Sequence, residues 1–365
     1  MGDAAAQDQV VVEFSAGELV GVGVVAGGQG LIVRKAGLVV GPVTLEVGSE
    51  GYSTRIGGVG GAAHSNSEAG TKLVRIAGLV HPELPMIDPH PTVAASIESV
   101  RSPEDYEQSV AAAVERIRAG EIEKVVLARE VVVRSGSAHD PAAIFGALRI
   151  GFPSCFNFCV GTGEATFIGA SPELLVRCAG RGVSTVGLAG STRRSSDPAV
   201  DDHLAQQLLG SSKDRGEQAV VVRRIVKSLS KLSVWVEAAD EPEIIKVANI
   251  QHLGTPVYAQ LAQPRTAIEL AGLLHPTPAV GGEPWKKARR VMAEVERMDR
   301  GWYAGPVGGM DGSGDGEFCV ALRSALIRDR EAHLFAGVGV VADSDPAAEL
   351  AETEIKLGAL LPLLS

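Results

Sequence analysis

Between residues 124 and 133 the chain alternates with a period of two: Val125, Leu127, Val131 and Val133 fall on one side, Lys124, Val126, Ala128 and Glu130 on the other. Successive side chains of an extended chain point to opposite faces, so this segment reads as a strand that starts at a lysine. Just before it the period changes. Tyr106, Val110, Val114 and Ile117 recur at helical spacing behind Ser102-Pro103-Glu104-Asp105, which supplies an N-cap, a proline at the first helical position and an acidic first turn, and Gly120 closes the segment. The same periodicities predict extended segments at 166–170 and 174–177, separated by Ser171-Pro172-Glu173, where a proline interrupts ladder pairing and redirects the chain. A strand over 183–189 runs into a polar turn at 190–194, and helical spacing returns at 198–209, 213–232 and 284–298. Residues 317–328 and 332–341 read as the arms of a hairpin around Asp329-Arg330-Glu331, with Cys319, Ala321, Arg323 and Ala325 on one face. A last helix is expected over 346–364.

The first hundred residues pattern differently. Short alternating segments such as 10–14 and 31–33, interrupted by Gly27-Gly28 and Gly60-Gly61, predict small strands and hairpins. No composition break marks a boundary, so 1–365 is taken as one domain, with a β-rich N-terminal part over 1–99 and the sharper elements over 100–365. Helices and strands follow in irregular order rather than in steady βαβ alternation, which predicts an α+β fold. Forty-four glycines and a 45% hydrophobic content agree with a packed, turn-rich globular protein.

Charge narrows the function. A net charge of −10 argues against a nucleic-acid binder, since the one dense basic run is Lys286, Lys287, Arg289 and Arg290, on a helix where it reads as a wet surface. No run of 18 apolar residues calls for a membrane, and residues 1–9 lack the basic and apolar regions of a secretion signal, so a cytoplasmic protein is expected. Cys155, Cys159, Cys178 and Cys319 sit in apolar, strand-like segments without zinc spacing and read as reduced core residues.

The candidate chemistry lies in acidic pairs. Glu349, Glu352 and Lys356 fall at i, i+3 and i+7 on one face of the last helix, just after a Gly-rich turn at 336–343. Asp214 and Glu217 form a second pair at i and i+3. Solvated faces with ion pairs would show the same spacing. If the two pairs converge, four carboxylates raise one another's pKa, and a divalent cation with oxygen ligands, magnesium, is the natural compensation. Lys124 and Glu173 are the candidate base and acid, the lysine through a pKa lowered by nearby cations and the glutamate through burial at an irregular turn. An edge-strand lysine and an exposed turn glutamate are the plainer readings. Arg323 projects from small apolar neighbours, and a buried guanidinium requires an anionic partner. Gly337-Val-Gly-Val-Val-Ala342 ahead of the last helix keeps a dinucleotide-binding alternative open, whereas the similar 21–26 segment runs into glycines instead of a helix.

Seven blocks in order carry a resemblance: Lys124-Val-Val-Leu-Ala-Arg129, Gly169-Ala-Ser-Pro-Glu-Leu-Leu175, Gly187-Leu-Ala-Gly-Ser-Thr192, Lys213-Asp-Arg-Gly-Glu217, Gln251-His-Leu253, His275-Pro-Thr-Pro-Ala279 and Glu352-Thr-Glu-Ile-Lys356. They resemble the chorismate-utilising enzymes, specifically the isochorismate synthases, over about residues 100–365. The resemblance implies a single α+β domain of packed, mostly antiparallel sheets with helices outside, acting on chorismate with magnesium, for siderophore or menaquinone biosynthesis. It gives Lys124 the activation of a water that attacks ring C2 and Glu173 the protonation of the departing C4 hydroxyl. Glu217 and Glu352 would bind the metal directly, with Asp214 and Glu349 close by. Tyr303 and Arg323 would hold the enolpyruvyl carboxylate, Lys356 and the Gly337 and Gly339 backbone the ring carboxylate, and His252 and Thr192 would orient the substrate. Relatives that use ammonia carry Gln at the position of Lys124, and aminodeoxychorismate synthases often carry Lys at that of Ala189. Lys124 with Ala189 therefore implies water as nucleophile and no glutaminase subunit. Salicylate synthases, the nearest alternative, tend to carry Thr at the position of Ala279. Gln218 departs from the His common after the metal-binding glutamate, so a changed environment behind the metal is expected there.

Overall fold

The computed structural model describes residues 95–161 and 165–365, and nearer the N-terminus the backbone of four short strands, β1 (Glu13–Ser15), β2 (Val24–Ala26), β3 (Gly37–Val39) and β4 (Thr71–Leu73). These pair as two antiparallel ladders, β1 with β3 and β2 with β4. The expected segment at 31–33 and the glycine pairs at 27–28 and 60–61 lie outside the described residues.

From β5 (Ala95–Ser99) the order is α1 (Pro103–Arg118), β6 (Lys124–Ser135), α2 (Pro141–Gly151), β7 (Phe156–Gly161), β8 (Thr166–Ser171), β9 (Leu174–Ala179), β10 (Gly182–Arg193), α3 (Pro198–Gly210) and α4 (Ser212–Leu229). Then come β11 (Ser233–Ala238), β12 (Glu243–Lys246), β13 (Ile250–Leu261), α5 (Ala267–Leu274), β14 (Gly282–Glu283) and α6 (Trp285–Val295). The chain ends with β15 (Pro306–Met310), β16 (Gly316–Val320), β17 (Ser324–Arg328), β18 (Glu331–Val340), α7 (Pro346–Leu357) and a 3-10 turn at Leu361–Leu363. Among the described residues no helix is long and apolar enough to cross a membrane.

Two sheets of seven strands each form the framework, and all their pairings are antiparallel. The first runs β11-β13-β10-β9-β16-β15, with β12 also on β13; the second runs β14-β6-β18-β17-β8-β7, with β5 also on β6. They pack through a cluster that joins Ala128 of β6 and Phe335 of β18 to Val176, Ala189, Phe318 and Val320 of the first sheet. Helices lie outside. Val221, Ile225 and Leu229 of α4 belong to the first sheet's core, while α1 and α6 cover Val125 and Leu127 of β6 and Val338 and Val340 of β18. The alternation predicted for 124–133 is therefore realised with both faces buried: the odd-numbered residues meet helices, and Lys124, Val126 and Ala128 face inward. This is an α+β fold.

The chain passes from one sheet to the other four times, and twice it does so directly, without an intervening helix. Between β8 and β9 it does so through Pro172 and Glu173, and between β16 and β17 through Ala321, Leu322 and Arg323. The two crossings are bonded to the opposite strands: Val320 N–H donates to Glu173 O at 3.0 Å and Ala170 N–H to Arg323 O at 3.1 Å. The hairpin arm expected over 317–328 is thus two strands in different sheets. What breaks it is Arg323, whose φ of 49° is left-handed. Such a conformation costs a non-glycine residue about 1–3 kcal/mol and is kept where the surroundings enforce it.

Other boundaries also shifted. Residues 190–193, expected as a turn, continue β10 past a bulge at Gly190, whose φ of 71° suits glycine. Residues 336–340 are not a turn but the end of β18, paired antiparallel with β6. That excludes the parallel βαβ unit a dinucleotide loop at 337–342 would need. The helix expected over 213–232 stops at Leu229. The one expected over 346–364 stops at Leu357 and resumes as the 3-10 turn, and that expected over 284–298 ends at Val295. The four cysteines are buried and in no disulfide, and Lys286, Lys287, Arg289 and Arg290 are exposed, as expected.

Candidate active site

A cavity of about 50 Å³ lies between the sheets, lined in part by Glu173, Glu217, His252, Tyr303, Arg323, Gly337, Gly339, Glu352 and Lys356. Nine residues singled out from the sequence are therefore brought together. They come from the two direct sheet crossings, from α4 and α7, from β13 and β18, and, for Tyr303, from the segment between α6 and β15. Ala189 and Ala279, which carry the distinction between water- and ammonia-using or pyruvate-eliminating relatives, line it too. Thr192 does not; Ser191, displaced by the bulge, takes its place and donates to Glu352 Oε1 at 2.6 Å. On the far side of Glu217 lies a basin of about 530 Å³ bordered by Lys213, Ser212 and Ile122.

Three lysines pair one to one with three glutamates. Lys124, 0% exposed at the start of β6, has its Nζ 2.8 Å from Glu217 Oε1; Lys356 Nζ is 2.7 Å from Glu352 Oε1; and Lys213 Nζ is 2.5 Å from Glu349 Oε1. Lys124 and Lys356 come from different elements, but Lys356 Nζ also donates to Gly337 O at 2.8 Å, which ties α7 to β18 beside β6. Asp214 and Glu349 do not line the cavity and stand behind Glu217 and Glu352. Burial raises the pKa of both. The charges of Glu217 and Glu352 add to this for Asp214, and that of Glu352 for Glu349. Burial would also raise Glu352, but Lys356 and Ser191 outweigh it and hold that carboxyl below its ordinary range. Lys213, the first residue of the 213–217 block, carried no role in the sequence reading. Its position one turn before Glu217 was the available signal.

The opposite end of the cavity is cationic and buried. Arg323 is 7% exposed and, among the described residues, has no carboxylate ion-pair partner; its Nη2 donates to His252 Nε2 at 3.2 Å and its buried Nε has no hydrogen-bond partner there. A guanidinium only donates, so His252 Nε2 accepts and the ring proton sits on Nδ1, 3.2 Å from Gly190 O. Burial, then the charges of Arg323 and Lys356, push the His252 pKa down to about 3, so the ring is a neutral acceptor at physiological pH. Burial pushes Glu173 up to about 7, against the opposing pull of Lys124, Arg323 and Lys356. Tyr303, stacked on Phe335 with centroids 5.4 Å apart, is raised by burial to about 12 and remains a phenol. Gln218 points away from the acidic group: its Nε2 donates to Gly187 O at 2.6 Å and to Thr255 Oγ1 at 3.1 Å, fixing α4 to β10 and β13. The altered environment expected behind a metal is instead an anchor under the helix.

The family described as chorismate binding enzyme matches residues 68–365. The chain belongs to the chorismate-binding enzyme family. The match begins inside the part set apart from the sequence at 1–99. Relatives include the salicylate biosynthesis isochorismate synthase of Pseudomonas aeruginosa, 42% identical over 276 residues, covering 75% of this chain and 58% of that protein. The isochorismate synthase MenF of Bacillus subtilis is 37% identical over 261 residues, covering 72% of this chain and 55% of that protein. The matched region is thus little more than half the length of these curated relatives. The structure of MenF, the menaquinone-specific isochorismate synthase from Escherichia coli, superposes with a TM-score of 0.78 at 25% identity, covering 98% of this chain and 89% of that one.

Two outcomes test the site. A Cβ at Gly339 would overlap Glu217 Oε1 and stand 2.7 Å from Lys124 Cε, both movable side-chain atoms, so Gly339→Ala should fold yet separate this pair. Its kcat/KM should fall by about 10²-fold, the scale of a ~1 Å misplacement, with the thermal midpoint little changed. Neutral Glu173 is favoured in the folded state, so the stability it contributes is complete below its ordinary 4.5 and is lost as pH rises through about 7. In a pH series, kcat/KM should fall through the same range if Glu173 is the acid. Glu173→Gln should lose at least about 10²-fold in rate and remove this dependence from the unfolding curves.

Proposed function

We propose that the protein is an isochorismate synthase that converts chorismate to isochorismate. The observation that carries this is a buried guanidinium, Arg323, without a carboxylate ion-pair partner among the described residues, in one cavity with a set of lysine-paired carboxylates and with Glu173, whose pKa burial raises to about 7. An anion with two carboxylates separated by a ring fits that polarity: one end meets Arg323 and the Tyr303 hydroxyl, the other meets Lys356 and the acidic group. Planar Arg is suited to bidentate grip of a carboxylate. The names of the relatives and the structural neighbour support the same reading.

The acidic group also fits a divalent cation. Its donors are all oxygen, two of them, Glu217 and Glu352, line the cavity, and Asp214 and Glu349 behind them have pKa values raised in part by their acidic neighbours. Among the described residues no three acidic, His or Cys side chains are gathered as a complete ligand set. Magnesium does not need one, since it takes one or two carboxylates and completes its shell with water and substrate oxygens. Glu217 and Glu352 would hold it, and when bound it supplies positive charge beside the substrate's ring carboxylate.

The chain's own residues divide the proton transfers. Lys124 takes a proton from the water whose oxygen bonds to C2; the ring double bonds shift; Glu173 gives its proton to the C4 hydroxyl, which leaves as water. His252, uncharged, holds Arg323 in place and does not compete as an acid. Ala189 and Ala279 leave the walls apolar and small, as the water-using, non-eliminating reading requires. No glutaminase partner is needed.

Incubation with chorismate and magnesium in oxygen-18 water should give isochorismate labelled at the C2 hydroxyl without added glutamine, and a chelator should stop turnover. Salicylate with stoichiometric pyruvate, an aminated product, or full turnover after exhaustive chelation would each overturn the corresponding part of this proposal.

A further inference from the structure

Among the described residues, Arg300 is the largest fully buried side chain, at 1% exposure, and it bonds neither to the acidic group nor to Arg323. It lies just outside the cavity, between segments that form three of its walls. Nη2 donates to Val126 O at 2.9 Å, Nη1 donates to Val280 O at 2.8 Å, and the guanidinium carbon sits 5.9 Å from the centre of the Tyr303 ring, whose backbone N–H donates to Arg300 O at 2.9 Å. Val126, Val280 and Tyr303 all line the cavity. Glu296, four residues earlier at the C-terminal end of α6 and 4% exposed, orients the guanidinium by accepting from Nε at 2.7 Å and from Nη2 at 2.6 Å. Its Oε2 also accepts from Ala128 N–H at 3.0 Å.

These bonds fill a gap in the second sheet. On this edge of β6, β14 pairs only with Lys124 and Val125, and β5 only from Val131 to Ser135. Val126 N–H goes to Gly281 O at 2.8 Å, which leaves Val126 O and Ala128 N–H with no strand beside them. Arg300 and Glu296 supply the missing partners from side chains. A buried ion pair is a poor source of stability, because removing two charges from water offsets most of their attraction. What a planar, fixed fork of donors does supply is direction, to carbonyls on separate segments at once.

We propose that Arg300, oriented by Glu296, is the positioning residue of the active site: it holds the β6 segment that carries Lys124, the Ala279–Val280 wall and Tyr303 in register with one another. It acts through these groups and touches no substrate. The kinetic part rests on the function proposed above; the positioning itself does not.

The test compares wild type, Arg300→Lys and Glu296→Gln by amide hydrogen exchange without substrate, thermal unfolding, and steady-state kinetics with chorismate and magnesium. Lysine keeps the charge opposite Glu296 but presents a point of donors in place of a fork, so exchange should rise at residues 126–128 and 279–281 while the rest of the second sheet stays protected. In the same variant kcat should fall by about 10²-fold and KM rise several-fold, since both Lys124 and Tyr303 lose their placement. A smaller folded fraction would lower kcat alone and leave KM unchanged. Glu296→Gln, which keeps an acceptor for Ala128 N–H, should show a weaker form of the same pattern and serves if Arg300→Lys does not fold. A folded variant with exchange at both segments and KM equal to wild type would overturn the proposal. Absence of turnover by wild type would instead overturn the proposed function, leaving the exchange result to decide the positioning role.

Discussion

The active site depends on two places where the chain leaves one sheet for the other. At Pro172-Glu173 and at Ala321-Leu322-Arg323 the backbone cannot continue its ladder, and each crossing is bonded to a strand of the other: Glu173 O to Val320 N–H, Arg323 O to Ala170 N–H. Because the crossings are bonded in this way, an acid and a guanidinium are delivered side by side into the space between two otherwise apolar sheets. Arg323 takes a left-handed backbone to do so. A local cost of this kind is retained where a fold over-determines it, and here it places a cation where the strand pattern alone would have turned it elsewhere.

The second consequence is electrostatic. Space between packed sheets is a poor solvent for charge, so the groups there are either paired or neutral. Lys124, Lys213 and Lys356 each sit on a glutamate, while Glu173 and His252 are driven by burial toward their uncharged forms, in opposite pKa directions. Arg323 is the exception, a buried cation whose partner is a neutral imidazole. In the proposed reading that imbalance draws an anion, and the crowded carboxyls at the acidic end, with Asp214 and Glu349 raised, would take a cation. The two uptakes would then be linked, because substrate and cation would meet at one wall and each would relieve the repulsion the other feels alone.

Much of this was legible in the sequence. The period-2 run from Lys124 fixed a strand with the lysine on its inward face, and the i, i+3, i+7 spacing of Glu349, Glu352 and Lys356 fixed a helix that presents all three together. Glu173 was placed at an irregular turn by the proline before it. The errors have physical causes. Residues 317–328 read as one strand because their alternation continues through Arg323, and a sheet crossing leaves no mark in a period of two. The glycines at 337 and 339 suggested a turn, yet they belong to β18, where a side chain would strike the Tyr303 hydroxyl at one position and the Glu217 carboxylate at the other. Thr192 came from the family resemblance, and the bulge at Gly190, which leaves no mark in the sequence pattern, puts Ser191 on the cavity wall instead. Gln218 was read as a neighbour of the metal because it follows Glu217, but successive residues of a helix lie about 100° apart, and Gln218 faces β10. Arg300 and Glu296 had only an i, i+4 spacing, indistinguishable from a solvent-exposed ion pair.

The central claim is that one cavity takes up a dicarboxylate and a divalent cation together. It is tested most directly by titrating manganese into the Glu173→Gln variant and following free metal by electron paramagnetic resonance, with and without saturating chorismate. One site per chain is expected, with metal affinity rising on substrate addition by about 5–150-fold, the usual range of such coupling, and with the site lost when Glu217→Gln is added. Manganese affinity that is the same with and without chorismate, or that survives loss of the Glu217 carboxylate, would contradict the account.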